Sequence, residues 1–108
     1  MILLSRGADQ LIVRCVIKSF ADAETEKLFG GMASRHLPPD IQRTARRKLL
    51  QLDAADRLDI MRLPPGNRLA ALKGARRGQH SVRINDQGRL CFRWEGEDAH
   101  AVEIVDYH

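Results

Sequence analysis

The side chains best suited to chemistry collect at the end of this sequence. Asp106, Tyr107 and His108 stand in a row, and each is a residue type that can take or give a proton. Cleavage of RNA by its own 2′-hydroxyl needs a base for that hydroxyl, an acid for the departing oxygen, and cations for the charge that builds on the phosphate. Lys73 and Arg89 are the candidate cations. A tyrosine, whose unperturbed pKa is about 10, works as a base at neutral pH only beside positive neighbours. His36, His80 and His100 lack the spacing of a zinc site, and Cys15 and Cys91 add no metal motif. The expectation is a site that works without metal or other cofactor.

Basic charge lies in a block just upstream. Between residues 62 and 93 stand Arg62, Arg68, Lys73, Arg76, Arg77, Arg83, Arg89 and Arg93 against a single acid, Asp86. Glu95, Glu97, Asp98, Glu103 and Asp106 follow without a Lys or Arg among them. Guanidinium forks match phosphate oxygens, so a cluster of this kind suits an RNA backbone. The same arginines can instead pair with the acids that follow. Phe92 and Trp94 fall at core-facing positions, which leaves little aromatic surface for stacking bases.

The elements that must position these groups are legible from period and punctuation. With 108 residues, 44% hydrophobic and 30% charged, the chain suits one folded domain. Alternation over residues 11–20 predicts a strand, and Asp22 as N-cap with Gly30-Gly31 as stop predicts a short helix over 22–29. Pro38-Pro39-Asp40 opens an amphipathic helix with Ile41, Ala45, Leu49 and Leu52 on one face and Gln42, Arg43, Arg46 and Arg47 on the other. Leu58, Ile60, Met61 and Leu63 predict one more turn beneath the core. After the Pro64-Pro65-Gly66-Asn67 turn the period becomes two, giving strands over 69–72, 80–84, 89–94 and 99–107 with hairpin turns at 85–88 and 95–98. Leu90, Phe92, Trp94, His100, Val102 and Ile104 are expected to face the core, with Arg83, Arg89 and Arg93 on an open face. This order is α+β, two helices on one face of a small antiparallel sheet. Cys15 and Cys91, both in apolar runs, read as buried thiols of a cytoplasmic protein. No run approaches the ~20 apolar residues of a membrane span, and Ser5, Arg6 and Asp9 interrupt the N-terminal apolar residues, so no secretory signal is expected.

Taken together, VIKSFADAETEKLFGG, PPGNRLAALKG, GQHSVRIND, RLCFRW and VEIVDYH closely resemble the HigB-type toxins of bacterial type II toxin–antitoxin modules, within the RelE/ParE-like superfamily. The likeness runs from about residue 16 to residue 108. It implies a metal-independent endoribonuclease that cuts mRNA on the translating ribosome and blocks growth. Its partners would be the ribosome with its rRNA, mRNA, and a HigA-type helix-turn-helix antitoxin, with DNA met only through the antitoxin complex. By position, Lys73 and Arg89 match the family's phosphate-contacting residues, Asp106 and Tyr107 its catalytic pair, and His108 its terminal histidine. Arg76 and Arg77 lie in the loop expected to press on RNA, and His80, Arg83 and Arg93 complete the expected RNA contacts. Two other readings share the fold: a toxin that inhibits DNA gyrase, and an inactive co-repressor that only binds antitoxin. The acid–base set at the end of the sheet favours the nuclease.

The resemblance also marks departures. Ala70 stands where some relatives carry histidine, and Gly88 where tryptophan is usual, which predicts a looser turn before Arg89. Relatives begin at the equivalent of Val16-Ile17-Lys18-Ser19-Phe20. Residues 1–15 are therefore expected to be an N-terminal extension, with Val16 marking a GUG start codon and residues 16–108 forming a single toxin domain.

Overall fold

Changes of residue period divide residues 15–106, the part of the chain that a computed structural model describes. The first helix, α1 (Ala23–Phe29), starts where the Asp22 carboxylate accepts the Thr25 N–H at 2.7 Å, and Glu24 and Glu26 favour the positive end of its dipole. It stops at Gly30-Gly31, where Gly31 adopts a φ of +93° that other residues rarely take. The second, α2 (Pro39–Asp53), buries Ile41, Ala45, Leu49 and Leu52, as the spacing predicts. Two short 3-10 turns follow, Leu58–Arg62 and Pro65–Asn67, and Met61 of the first is fully buried. Leu63, expected to join that turn beneath the core, is 62% exposed instead.

The strands are β1 (Ala70–Ala71), β2 (Gln79–Arg83), β3 (Gly88–Glu95) and β4 (Asp98–Asp106). They form an antiparallel sheet in the order β1-β2-β3-β4. The helices cover one face: Val82, Ile84, Leu90, Phe92, Ala99, Val102 and Ile104 meet Leu28, Ile41, Ala45, Leu49 and Leu52 in a single core. The architecture is the expected α+β.

The segment ahead of α1 closes the outer edge of β4. Ile17 and Phe20 form isolated parallel bridges to Ala99 and Val102, where the sequence predicted a full strand; residues 11–14 of that strand lie outside the described residues. Ala99 N–H donates to the Val16 carbonyl, Val102 N–H to the Ser19 carbonyl, and Ala101 N–H to the Ser19 hydroxyl at 2.8 Å. Further along, the Thr25 hydroxyl accepts the Ile104 N–H at 3.0 Å. Two backbone carbonyls and two hydroxyls thus satisfy an edge that a longer strand would otherwise pair. Cys15, expected to be buried, is exposed at the start of this segment, whereas Cys91 is buried.

Alternation fails at one point in β4. Ala101 has a φ of +52°, and pairing jumps from Cys91↔Glu103 to Arg93↔His100, so an extra residue of β4 stands opposite Phe92. Ala99, Val102 and Ile104 are all buried as a result. His100, expected in the core beside Val102, is carried to the face that holds Arg93. The strict period of two placed it on the wrong side because one inserted residue reverses every side chain beyond it.

Asn67 ties the 3-10 turns to α2. Its amide donates to the carbonyls of Met61 and Leu63, both at 3.1 Å, and to the Gln51 side chain at 3.2 Å. Its oxygen accepts from Lys48, a lysine only 7% exposed. Burial, and to a lesser extent the charges of Arg47 and Arg83, holds the Lys48 ammonium below the usual lysine range.

Two tests follow from this packing. Ala101→Gly relieves the left-handed backbone and should raise unfolding free energy by about 1 kcal/mol, whereas Ala101→Val should lower it by roughly 2 kcal/mol; urea denaturation reads both. For Lys48, the unfolded chain binds more protons between the lowered folded pKa and the ordinary value of about 10.4. Stability therefore rises with pH through that alkaline window and the rise is absent below it. Lys48→Met should flatten it, and an unchanged pH slope would show that the lysine titrates normally.

Candidate functional site

The face of the sheet turned away from the helices carries Gln79, Ser81 and Arg83 from β2, Arg89, Cys91 and Arg93 from β3, and Glu103 from β4, as the register dictates. The bulge adds His100. This face is not open along its whole length, since Ser81 and Cys91 at its centre are buried.

Arg76 helps close it. From the loop between β1 and β2, its guanidinium donates to the Gln79 side chain at 3.0 Å and to the Glu103 carboxylate at 3.2 Å. Gln79 and Glu103 lie on strands either side of β3, so Arg76 spans the middle strand. Arg93 pairs with Glu95, whose other oxygen stands 4.0 Å from His100 Nε2. Lys73 and Arg77 flank the Gly74–Arg76 turn, and both are exposed.

At the opposite end of the sheet, Gly88 lies across from Asp106 and Arg89 across from Val105. The turn before Gly88 is closed by Asn85, whose side-chain oxygen accepts the N–H groups of Gln87 at 2.9 Å and Gly88 at 2.6 Å. Arg89 Nη1 then donates to the Asn85 and Gly88 carbonyls at 2.6 and 2.9 Å. Its Nε and Nη2 have no hydrogen-bond partner, and the residue no salt bridge, among the described residues. The absence of a side chain at Gly88 does not loosen this turn. A Cβ there would stand 3.2 Å from the Asn85 oxygen and 3.7 Å from Ile41 Cδ1, so α2 and the turn occupy the space. Arg83, directly opposite Arg89, is paired with Asp86, which offsets the like-charge contact across the strands.

The expected site residues therefore fall into two groups. Arg83, Arg89 and Asp106 share one end of the sheet; Lys73, Arg76, Arg77 and Arg93 gather at the other, joined there by His100, which was expected in the core. Four residue steps along β3 lead from Arg89 to Arg93, or roughly 13 Å of strand, and Lys73 lies beyond the Arg93 level because Leu72 already pairs with Gln79. Tyr107 and His108 lie outside the described residues. His80, expected among the RNA contacts, lies on the helix-covered side, stacked on Phe92 at 6.3 Å between ring centroids; its Nδ1 is buried without a hydrogen-bond partner among the described residues. The role of Asn85 was missed in the sequence, although the Asn-Asp-Gln-Gly turn that carries it was visible. Glu103 stood only among several possible acid partners. Among the described residues no three His, Cys, Asp or Glu side chains gather as metal ligands, and no helix is long and apolar enough to cross a membrane.

This arrangement can bind and polarise an anion at the Arg89 end, and hold an extended polyanion across the loop that carries Lys73 and Arg77. Comparison with known proteins places the chain in a family. Residues 18–108 match the family described as the RelE-like toxin of the type II toxin–antitoxin system HigB. The chain is 45% identical over 60 residues to Toxin HigB-1 of Vibrio cholerae serotype O1, covering 56% of this chain and 63% of that protein. It is 29% identical over 62 residues to an uncharacterized protein of Haemophilus influenzae, covering 57% and 61%. Matched segments thus span about six-tenths of the length of these relatives.

Glu103→Gln should loosen the clamp on Arg76 and let it meet phosphate. Affinity for a single-stranded RNA oligonucleotide is expected to rise about three- to tenfold, with the salt slope steepened by about 0.7 for one added phosphate contact. Fluorescence anisotropy across a salt series reads both. An unchanged slope would mean that Arg76 does not reach the backbone.

Proposed function

The chain belongs to the family of RelE-like HigB toxins of type II toxin–antitoxin systems, and on that premise we propose that it is an endoribonuclease that cleaves mRNA on the translating ribosome until a helix-turn-helix antitoxin neutralises it. One arrangement carries this reading. The paired ends of β3 and β4 set Arg89 across from Val105 and Gly88 across from Asp106, so Arg89 stands one residue from the pair that leads into Tyr107 and His108 while the Asp106 position alternates to the other face. Two nitrogens of Arg89 remain unengaged among the described residues.

The proposed reaction uses the RNA's own 2′-hydroxyl. A base drawn from Asp106, Tyr107 and His108 takes the hydroxyl proton, and the oxygen attacks the adjacent phosphorus. Negative charge on the phosphoryl oxygens meets Arg89, whose Nη1 is already fixed by two carbonyls and therefore needs little reorganisation. A second member of the set protonates the departing 5′-oxygen. The products are a 2′,3′-cyclic phosphate and a free 5′-hydroxyl, and no external reactant is consumed. Lys73 and Arg77, far from the Arg89 end, are better placed to hold flanking phosphates than to meet the reacting one. Arg76, Arg83 and Arg93 would join them by exchanging their own carboxylates for phosphate.

Expression without antitoxin, followed by mapping of mRNA 5′ ends on ribosomes, tests the proposal. Cuts within codons are expected. Arg89→Ala should slow them about 100-fold or more, and Tyr107→Ala at least as much, while Arg57→Ala, at a residue that pairs with Asp59 ahead of the Leu58–Arg62 turn and outside the sheet, should change the rate less than twofold. Intact mRNA accompanied by broken DNA would replace this reading with a gyrase-directed toxin.

A further inference from the structure

The helices carry a surface that RNA chemistry leaves unused. Between the end of α1 and the middle of α2 runs a groove of about 470 Å³, floored by Leu28, Met32 and Leu50 and rimmed by Arg43, Arg46 and Arg47. Met32 is 61% exposed and Leu50 43%, two of the three exposed large hydrophobic residues among the described residues. No salt bridge involving the three rim arginines is found among the described residues. This sets them apart from Arg76, Arg83 and Arg93, each of which has a carboxylate. Arg46 Nε is moreover buried without a hydrogen-bond partner among the described residues. Its guanidinium packs beside Gly31, with Nη2 3.6 Å from where a Cβ there would stand, an ordinary contact distance. A buried guanidinium nitrogen left without an acceptor carries a cost that an incoming carboxylate would remove.

We propose that this groove docks an acidic amphipathic segment of the antitoxin, with apolar side chains covering Met32 and Leu50 and carboxylates meeting Arg43, Arg46 and Arg47. The inference rests on the toxin–antitoxin reading for its occupant, and on the groove for its chemistry. A phosphodiester backbone would answer the arginines but offers nothing apolar to Met32 and Leu50. A second copy of this chain would set arginine rim against arginine rim on a protein already carrying a formal charge of +4. An acidic segment with one apolar face answers both features at once.

The experiment uses the full-length toxin and the antitoxin encoded beside it. Leu50→Glu and Arg46→Glu are each expected to weaken antitoxin affinity at least tenfold by calorimetry, with ribosome-dependent mRNA cleavage and thermal unfolding essentially unchanged. Should Arg46→Glu unfold the protein, Leu50→Glu and Arg43→Glu, at exposed positions, decide the matter. Affinities within twofold of the unaltered toxin would overturn the proposal. So would variants that bind antitoxin normally but no longer cleave mRNA, because the arginines would then serve RNA. If the unaltered toxin cleaves no mRNA, the nuclease reading falls, and the affinity comparison still decides the groove.

Discussion

The left-handed backbone at Ala101 decides which side chains share a face. One residue inserted opposite Phe92 lets Ala99, Val102 and Ile104 all bury, and it moves His100 to the side of Arg93 and Glu95. Without it, β4 beyond the bulge would present the opposite set of side chains to each face. The conformation is held from outside the sheet, since Ser19 accepts the Ala101 N–H with its hydroxyl and the Val102 N–H with its carbonyl. The segment leading into α1 therefore does more than close an edge. It fixes the register from which the charged face is built, and α1 continues the same role through Thr25 and Ile104.

Upon that register the charges are arranged in local pairs. Arg76 spans to Glu103, Arg83 to Asp86, and Arg93 to Glu95. Ion pairs at this exposure add little stability, and their larger consequence is orientation and partial neutralisation. Arg89 is treated differently: backbone carbonyls hold it, so it is positioned without being neutralised. A guanidinium fixed in this way keeps its charge available to a ligand, the condition that electrostatic stabilisation of a transition state requires.

Much of this was legible in the sequence, and the misses share physical causes. Ile41, Ala45, Leu49 and Leu52 announced α2 because a 3.6-residue period is long enough to read, and Asp22 announced α1 through its capping chemistry. His100 was misplaced because alternation carries no sign of a bulge when the inserted residue is an alanine rather than a glycine. Lys48 was not expected inside because its partner, Asn67, lies 19 residues away in a turn. Gly88 suggested looseness because a missing side chain reads as a gap in the sequence, whereas Ile41 and Asn85 fill that gap in space. Cys15 was judged by its apolar neighbours, yet the segment there meets the sheet only through isolated bridges. The identities of the candidate site residues were visible, but their division between two ends of the sheet was not.

That division bears on why a nuclease of this kind would depend on the ribosome. If Arg76, Arg83 and Arg93 spend most of their time on their own carboxylates, the expected RNA contacts of the sheet and its β1–β2 loop that are ready for free RNA reduce to Lys73, Arg77 and Arg89. These are spread over more than 13 Å of strand. Three phosphate contacts release few counterions, so affinity for RNA in solution should be weak and should fade further as salt rises. A docking surface that delivers mRNA at high effective concentration would compensate for that weakness without any new contact at Arg89. On the proposed reading, the acidic residues of the sheet are therefore part of the specificity. They keep the basic face from acting on whatever RNA it meets, and leave cleavage to the place where substrate is already held against it.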